Sequence, residues 1–495
     1  MSPVPTGRFD FTAPVPAADE LGAVHFIAIG GSGVSGVARL FLAQGAVVSG
    51  SDQRDSRTLR LLAAEGATVH LGHDAAHLGQ ADTVVISGAV RETNPELAAA
   101  RERGLRVLHR AQGIAALLHG RQAVAVAGAN GKTTTSAMLT VALQAAGADP
   151  AYVLGSPIVG QGTNAAPGTG PVVVEADESD GSFLVYRPQV GVVTNITADH
   201  LDFYGDLAGV EHAFAEFADT VAADGVLVAS ADDPGARSLT QRCRARGREV
   251  LTWGTSDDAD LQLHDVGGAG RSWGARLVWR RETGSVPAGT QRRLTVPMPG
   301  GHNVHNAAAA LLAATGGLGA DLDAVLGGLA AFPGTERRFQ AVGDAAGVEI
   351  VDDYAHNPDK VAAVVRAGRS VVAAAGRLVV AFQPHLYSRT ADFAEQFAAG
   401  LAPADVVVLL DVYGAREEPV EGVDGALVAD LVRARPEAGE VHYLPDLTSA
   451  PVELAALLRP GDLLLTVGAG DVTTLGPQVL EVLRARHTQE GGSTR

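Results

Sequence analysis

Lysine is almost missing from this chain of 495 residues. Only Lys132 and Lys360 occur, and arginine supplies the rest of the 38 basic side chains against 56 acidic ones. The net charge of −18 argues against a nucleic-acid partner and leaves any anionic ligand to local arginines and helix N-termini. Cysteine is scarcer still, because the single Cys243 excludes an internal disulfide framework and any multi-cysteine metal site. Aromatic residues make up 5% of the chain, so its cores must be built from Ala, Val and Leu. No apolar run approaches the roughly 18 residues of a membrane span, and no basic-then-apolar leader opens the chain. A cytoplasmic protein without membrane insertion is the expectation.

Length predicts about three domains. Residues 1 to 20, with Pro3, Pro5, Pro14 and Pro16, read as a disordered lead. Residues 21–120 then alternate strand and helix. Gly31, Gly33 and Gly36 fit a GxGxxG turn after the strand VHFIAIG, and Asp52 stands where a ribose-binding acid would fall. Residues 121–333 hold apolar strands at PVVVEAD, VGVVTN and GVLVAS, then shorter alternating strands between Asp258 and Met298 that suggest an antiparallel flap. Residues 334–487 repeat the α/β rhythm, with a final helix from Pro477 to Arg486 and a frayed tail over 488–495. Ligand sites are expected at strand C-termini, facing clefts between domains.

One stretch organises the chemistry. VAVAGANGKTTTS runs from an apolar strand into a loop and a helix, so that Gly128, Ala129, Asn130, Gly131, Lys132, Thr133 and Thr134 can cradle a nucleoside triphosphate. Placing one of only two lysines between Gly131 and Thr133 points to a compact point charge on phosphate. Glu175, Asp177, Glu178 and Asp180 follow one strand of this region, and Asp199, His200 and Asp202 follow another. Such acidic density calls for a cation, so Thr133, Glu175 and His200 are the expected Mg²⁺ ligands. In the last third, Asp353 and His356 follow one strand, Gln383 and His385 another, and Arg389 opens the next helix, positioned for a carboxylate or phosphoryl oxygen. Arg337 and Arg338 are either an exposed charge run or a triphosphate clamp.

Taken in order, AIGGSGVSGVA (28–38), VAGANGKTTT (126–135), EADESDGSFL (175–184), VTNITADHLDFY (193–204), GHNVHNAAAA (301–310), ERRFQ (336–340), DDYAHNPD (352–359), FQPHLYSRT (382–390), DVYGAREEP (411–419) and TVGAGDVTTLGP (466–477) resemble the ATP-dependent peptidoglycan precursor ligases, the Mur ligases. The resemblance spans residues 23 to 486. It implies an α/β fold of three domains: Rossmann-like at the N-terminus, a central P-loop-type ATPase domain with a mostly parallel sheet and a small antiparallel flap, and Rossmann-like at the C-terminus. It further implies ATP and Mg²⁺ as cofactors and, as substrates, UDP-N-acetylmuramate and L-alanine, joined through an acyl phosphate by a monomer or homodimer. By the same resemblance Gly31, Ser32, Gly33, Asp52 and Ser87 would hold the UDP-sugar, Asn303 and Asn306 adenine, Arg338 and Asp353 the nucleotide, and His356, His385 and Arg389 the amino acid. Lys132, Glu175, His200, His356 and Arg389 would form the catalytic set.

The chain departs from the family at Asn130 and Asn357, where His is usual, and around Ser87, where SGAV replaces SSAI. No lysine lies between Lys132 and Lys360, so the carbamylated lysine that several sister ligases carry in the central domain has no counterpart. Two other readings stay open. One is a recycling ligase that attaches a whole tripeptide to the same sugar nucleotide; the other is a nucleotide-binding protein without catalysis.

Overall fold

A computed structural model describes residues 8–492 except Arg416. The first sheet has five parallel strands in the order Thr68–Leu71, Val48–Asp52, Val24–Ile27, Thr83–Ile86, Arg106–His109. Val24–Ile27 and Thr83–Ile86 are buried throughout, which is why they are mostly apolar, with His25 and Thr83 as their polar members. The strand order reverses at Val24–Ile27, and the glycine turn leaving that strand sits at this switch point, where doubly wound sheets bind ligands.

The second sheet has ten strands in the order Gln291–Val296, Ser272–Trp279, Leu261–Ala269, Val250–Gly254, Val226–Ser230, Val190–Val193, Ala123–Ala127, Val172–Glu175, Ala151–Val153, Ala165–Ala166. Val193 is in register with Ala127, and Val126 with Glu175. Three parallel strands therefore end together, delivering Thr194, Gly128 and Glu175 to one edge. The strands expected as a flap extend the opposite end of this sheet from Ala165–Ala166. The helix Ser32–Ala43 of the first sheet packs on that short strand. A Cβ at Gly36 would stand 2.7 Å from Ala165 Cβ, Asn164 Nδ2 donates to Ser32 O at 3.0 Å, and Arg39 Nη1 donates to Thr163 Oγ1 at 2.7 Å.

The third sheet runs Gln340–Ala345, Val348–Asp353, Leu463–Val467, Leu378–Phe382, Val406–Leu409, Glu440–Tyr443, with the first strand antiparallel. Asp353 and Phe382 both pair with Val467, so the segments bearing His356 and His385 leave the sheet side by side.

Two compact units result. One takes the described residues up to Val266 with Ala275–Val296 and His302–Pro333, and so contains the first sheet and all of the second except the adjoining ends of Leu261–Ala269 and Ser272–Trp279. The other takes Gly267–Gly274, Pro297–Gly301 and the described residues from Gly334.

Two terminal expectations are corrected. The lead over residues 1–20 is packed from Arg8 onward, with residues 1–7 outside the described residues. The Phe9 and Phe11 rings lie 5.2 and 5.3 Å from the His109 ring, and Gln112 Nε2 donates to Asp10 O at 3.1 Å. Two aromatic anchors outweigh the prolines. The final helix is Leu475–Gly492, anchored by buried Leu480 and Leu483, so it runs on into the stretch expected to fray from 488; residues 493–495 lie outside the described residues.

Candidate active site

The phosphate loop leaves the buried strand Ala123–Ala127 and opens the helix Lys132–Ala145. Gly131 caps that helix at φ +88°, and a Cβ there would overlap Asn306 Oδ1. Both the backbone angle and the neighbour thus demand glycine. Asn303 and Asn306 lie in the first two turns of Gly301–Leu312, 4% and 8% exposed, with Asn306 Nδ2 donating to Asn303 Oδ1 at 3.4 Å.

Lys132 Nζ donates to Gly128 O at 2.8 Å and to Glu178 Oε1 at 2.7 Å. Burial disfavours its charge, but Glu178, Asp177 and Glu175 together outweigh that and lift the ammonium pKa above its usual value. Burial likewise opposes ionisation of Asp177, and Lys132 and Arg110 pull its carboxyl down to about 2. The lysine is held charged at the start of the helix.

Thr133 Oγ1 donates to Glu175 Oε1 at 3.0 Å, and the Gly155 amide donates to Glu175 Oε2 at 2.7 Å. The structure thus joins two of the three expected metal ligands. His200, at φ +55°, instead lies with Nε2 4.0 Å from Glu178 Oε1 and 3.9 Å from Asp199 Oδ1. Among the described residues, no set of three or more His, Cys, Asp and Glu side chains is arranged to hold a metal ion.

In the first sheet, Gly31 caps the helix Ser32–Ala43, and Gly30 N donates to Asp52 Oδ2 at 3.0 Å, fixing the glycine turn to the next strand. Ser87 follows Thr83–Ile86, the strand beside Val24–Ile27. Arg110 was not foreseen. Its Nη2 donates to Asp177 Oδ2 at 3.0 Å, and its signal is a polar His-Arg pair at the end of the strand Arg106–His109. Asn195 and the Lys132 partner Glu178 were likewise unassigned.

The C-terminal unit gathers a second set of groups. Asp353 accepts from Phe339 N and Ala355 N, both at 2.8 Å, and burial, ahead of the opposing pull of Arg338, keeps its carboxyl pKa above the usual value. The Arg337 and Arg338 guanidinium carbons lie 4.7 and 5.1 Å from the Tyr354 ring centroid. His356 Nδ1 is 2.9 Å from Tyr354 O. A carbonyl only accepts, so Nδ1 carries the proton and Nε2 keeps its lone pair. Burial, then the charge of Lys360, push the His356 pKa down to about 3. Arg389 Nη1 lies 3.5 Å from His385 Nδ1, and the His356 and His385 rings are 5.9 Å apart. Arg389 can only donate, so His385 accepts at Nδ1. One site thus offers an acceptor nitrogen beside a guanidinium, a pairing suited to an amino-acid zwitterion. Asn357 caps the helix Pro358–Val371 by accepting from Lys360 N at 2.9 Å.

Residues 23–122 match the family described as Mur ligase family, catalytic domain; residues 126–314 match Mur ligase middle domain; residues 337–470 match Mur ligase, glutamate ligase domain. The chain belongs to the Mur ligase family. The three matched segments of this Mur ligase track its three sheets in order. A UDP-N-acetylmuramate--L-alanine ligase of Kineococcus radiotolerans is 54% identical over 486 residues, covering 97% of this chain and 99% of that relative. The solved UDP-N-acetylmuramate-alanine ligase MurC of Thermotoga maritima is similar at a TM-score of 0.78 and 28% identity, covering 94% of this chain and 99% of that one. A murein peptide ligase of Psychrobacter arcticus, at a TM-score of 0.66 and 23% identity over 94% of this chain and 99% of that one, shares the Mur ligase fold.

Proposed function

We propose that this Mur ligase uses ATP to join L-alanine to the lactyl carboxylate of UDP-N-acetylmuramate, the first amino-acid addition in making the peptidoglycan precursor. The observation that carries the reading is the 54% identity, along nearly the whole of both chains, to a relative bearing that name. The same reading makes it a cytoplasmic enzyme, monomer or homodimer. Among the described residues, no helix is long and apolar enough to cross a membrane.

In the first step a lactyl carboxylate oxygen attacks the γ-phosphorus of ATP. The bond to the β–γ bridging oxygen breaks, ADP leaves, and an acyl phosphate remains. In the second step the alanine nitrogen attacks the acyl carbon, phosphate leaves, and the amine gives up a proton as the amide forms. Lys132 and the loop amides supply fixed positive charge to the transferring phosphoryl group, where positioning and electrostatics do most of the catalysis. Thr133 Oγ1 and Glu175, 3.0 Å apart and both oxygen donors, fit a hard divalent cation. They would hold Mg²⁺, which neutralises phosphate charge when bound. His200, next to Glu178, would act beside that pair. Asn306, adjoining Gly131, and Asn303 would contact the adenine, with Arg338 and Asp353 also on the nucleotide. Arg389 and His385 would hold the alanine carboxylate, and His356 Nε2 the amine. Gly31, Ser32, Gly33, Asp52 and Ser87 would hold the UDP-sugar.

Phosphate release from ATP and UDP-N-acetylmuramate, measured separately with L-alanine, glycine, L-serine and the tripeptide, tests the reading. Release with L-alanine is expected. Release with the tripeptide but not L-alanine would make this a recycling ligase, and release with neither would leave a binding protein.

A further inference from the structure

Arg110 opens the helix Arg110–Leu117 directly behind the strand Arg106–His109, at the C-terminal edge of the first sheet. Its side chain crosses the start of the helix Ser32–Ala43, since a Cβ at Gly33 would stand 3.5 Å from Arg110 Cδ and 3.6 Å from Nε. On the other side, Nη2 donates to Asp177 Oδ2 at 3.0 Å, in the segment that also carries Glu175 and Glu178 to the Lys132 loop. Asp180 of that segment lies 3.6 Å from His109 Nε2 and 4.0 Å from the Cβ position of Gly88. One guanidinium, with 23% of its side chain exposed, therefore stands where the glycine turn meets the acidic segment beside Lys132.

A sugar nucleotide that is to be phosphorylated must span those two places, with its diphosphate at the glycine turn and its carboxylate near the triphosphate. A carboxylate arriving among Glu175, Asp177, Glu178 and Asp180 is repelled unless a cation receives it. Lys132 is already engaged by Gly128 O and Glu178 and faces the phosphate loop. We infer that Arg110 receives the lactyl carboxylate of the UDP-sugar, releasing Asp177 and holding the incoming carboxylate in its planar two-donor fork. The inference rests on the function proposed above. Asp177 is not orphaned by the exchange, because Ser179 N still donates to its Oδ1 at 3.2 Å and the Lys132 charge remains. Arginine suits the role better than lysine because its donors match both carboxylate oxygens at once.

Calorimetric binding of UDP-N-acetylmuramate and of UDP-N-acetylglucosamine, which lacks the lactyl acid, to wild type, Arg110→Met and Arg110→Lys tests it. Wild type is expected to prefer the muramate. Arg110→Met should bind the muramate roughly ten- to a hundredfold more weakly, the range of a lost charged hydrogen bond, and bind the glucosamine nucleotide nearly as before. Arg110→Lys should recover part of the preference, and it carries the test if Arg110→Met does not fold. Equal weakening of both ligands would make Arg110 a diphosphate or structural group and overturn the inference, as would no change in either. If wild type shows the preference but releases no phosphate with any amino acid, the proposed function fails alone. If it turns over L-alanine and Arg110→Met keeps the preference, the inference fails alone.

Discussion

Asn195 brackets the backbone of Asn130 from both sides: its Oδ1 accepts the Asn130 N–H at 2.9 Å and its Nδ2 donates to the Asn130 carbonyl at 2.9 Å. Thr194 Oγ1 adds a third bond to that carbonyl at 2.6 Å. The bracket uses only the main chain at 130, so replacing the family's usual His by Asn leaves the loop's anchorage intact. Asn195→Asp keeps the acceptor, loses the donor and sets an anion against the phosphate loop. The KM for ATP should rise about tenfold, equivalent to roughly 1.4 kcal/mol, with UDP-N-acetylmuramate binding unchanged. An unaltered KM would show that the bracket is dispensable.

Lys132→Ala should abolish turnover while leaving sugar-nucleotide binding nearly intact. It also leaves Glu178, 2% exposed, without its cation, and removing one partner of such a buried pair costs about 3–5 kcal/mol. The melting temperature should therefore fall with the activity. Adding Glu178→Gln should restore the melting temperature and not the activity; recovery of neither would mean that the pair is not what stabilises the loop.

Thr133→Val removes the hydroxyl that donates to Glu175. If the two oxygens hold Mg²⁺ together, the magnesium concentration for half-maximal rate should rise roughly tenfold or more, and chelation should stop both enzymes. A variant with the wild-type magnesium curve would move the metal elsewhere.

His356 resists protonation down to about pH 3, whereas the unfolded chain takes up the same proton near 6.5. Between those values the unfolded state binds more protons, so stability is lost as pH falls through that window. His356→Gln, which can still donate to Tyr354 O, should flatten the decline of unfolding free energy between about pH 6 and about pH 4.5 in urea titrations of the C-terminal unit. A slope equal to wild type would assign the decline to other groups.

The doubly buried strands were legible because both faces are apolar, as at Val190–Val193 and Leu463–Val467. Several edge strands were not. Thr68–Leu71, Gln340–Ala345 and Glu440–Tyr443 mix exposed and half-buried positions, and Ala165–Ala166 is two residues long. At the site, the strand, loop and helix around Lys132 could be read because they rest on local backbone order. The acids could not be sorted, because EADESD turns as it runs: Glu175 meets Thr133, Asp177 meets Arg110 and Glu178 meets Lys132. Which acid faces which cation depends on a turn whose geometry no spacing rule contains.

Gly36 completes the GxGxxG pattern, yet the space it clears is filled by Ala165 of the central sheet. The domain built on the first sheet is therefore not a portable module. A gene fragment ending near residue 120 would leave the seam at Ser32, Gly36 and Arg39 open to water, stripped of its partners at Thr163, Asn164 and Ala165. Chimaeras that exchange this domain between sister enzymes must carry residues 163–165 across with it, although those residues lie more than forty positions beyond its end in the chain.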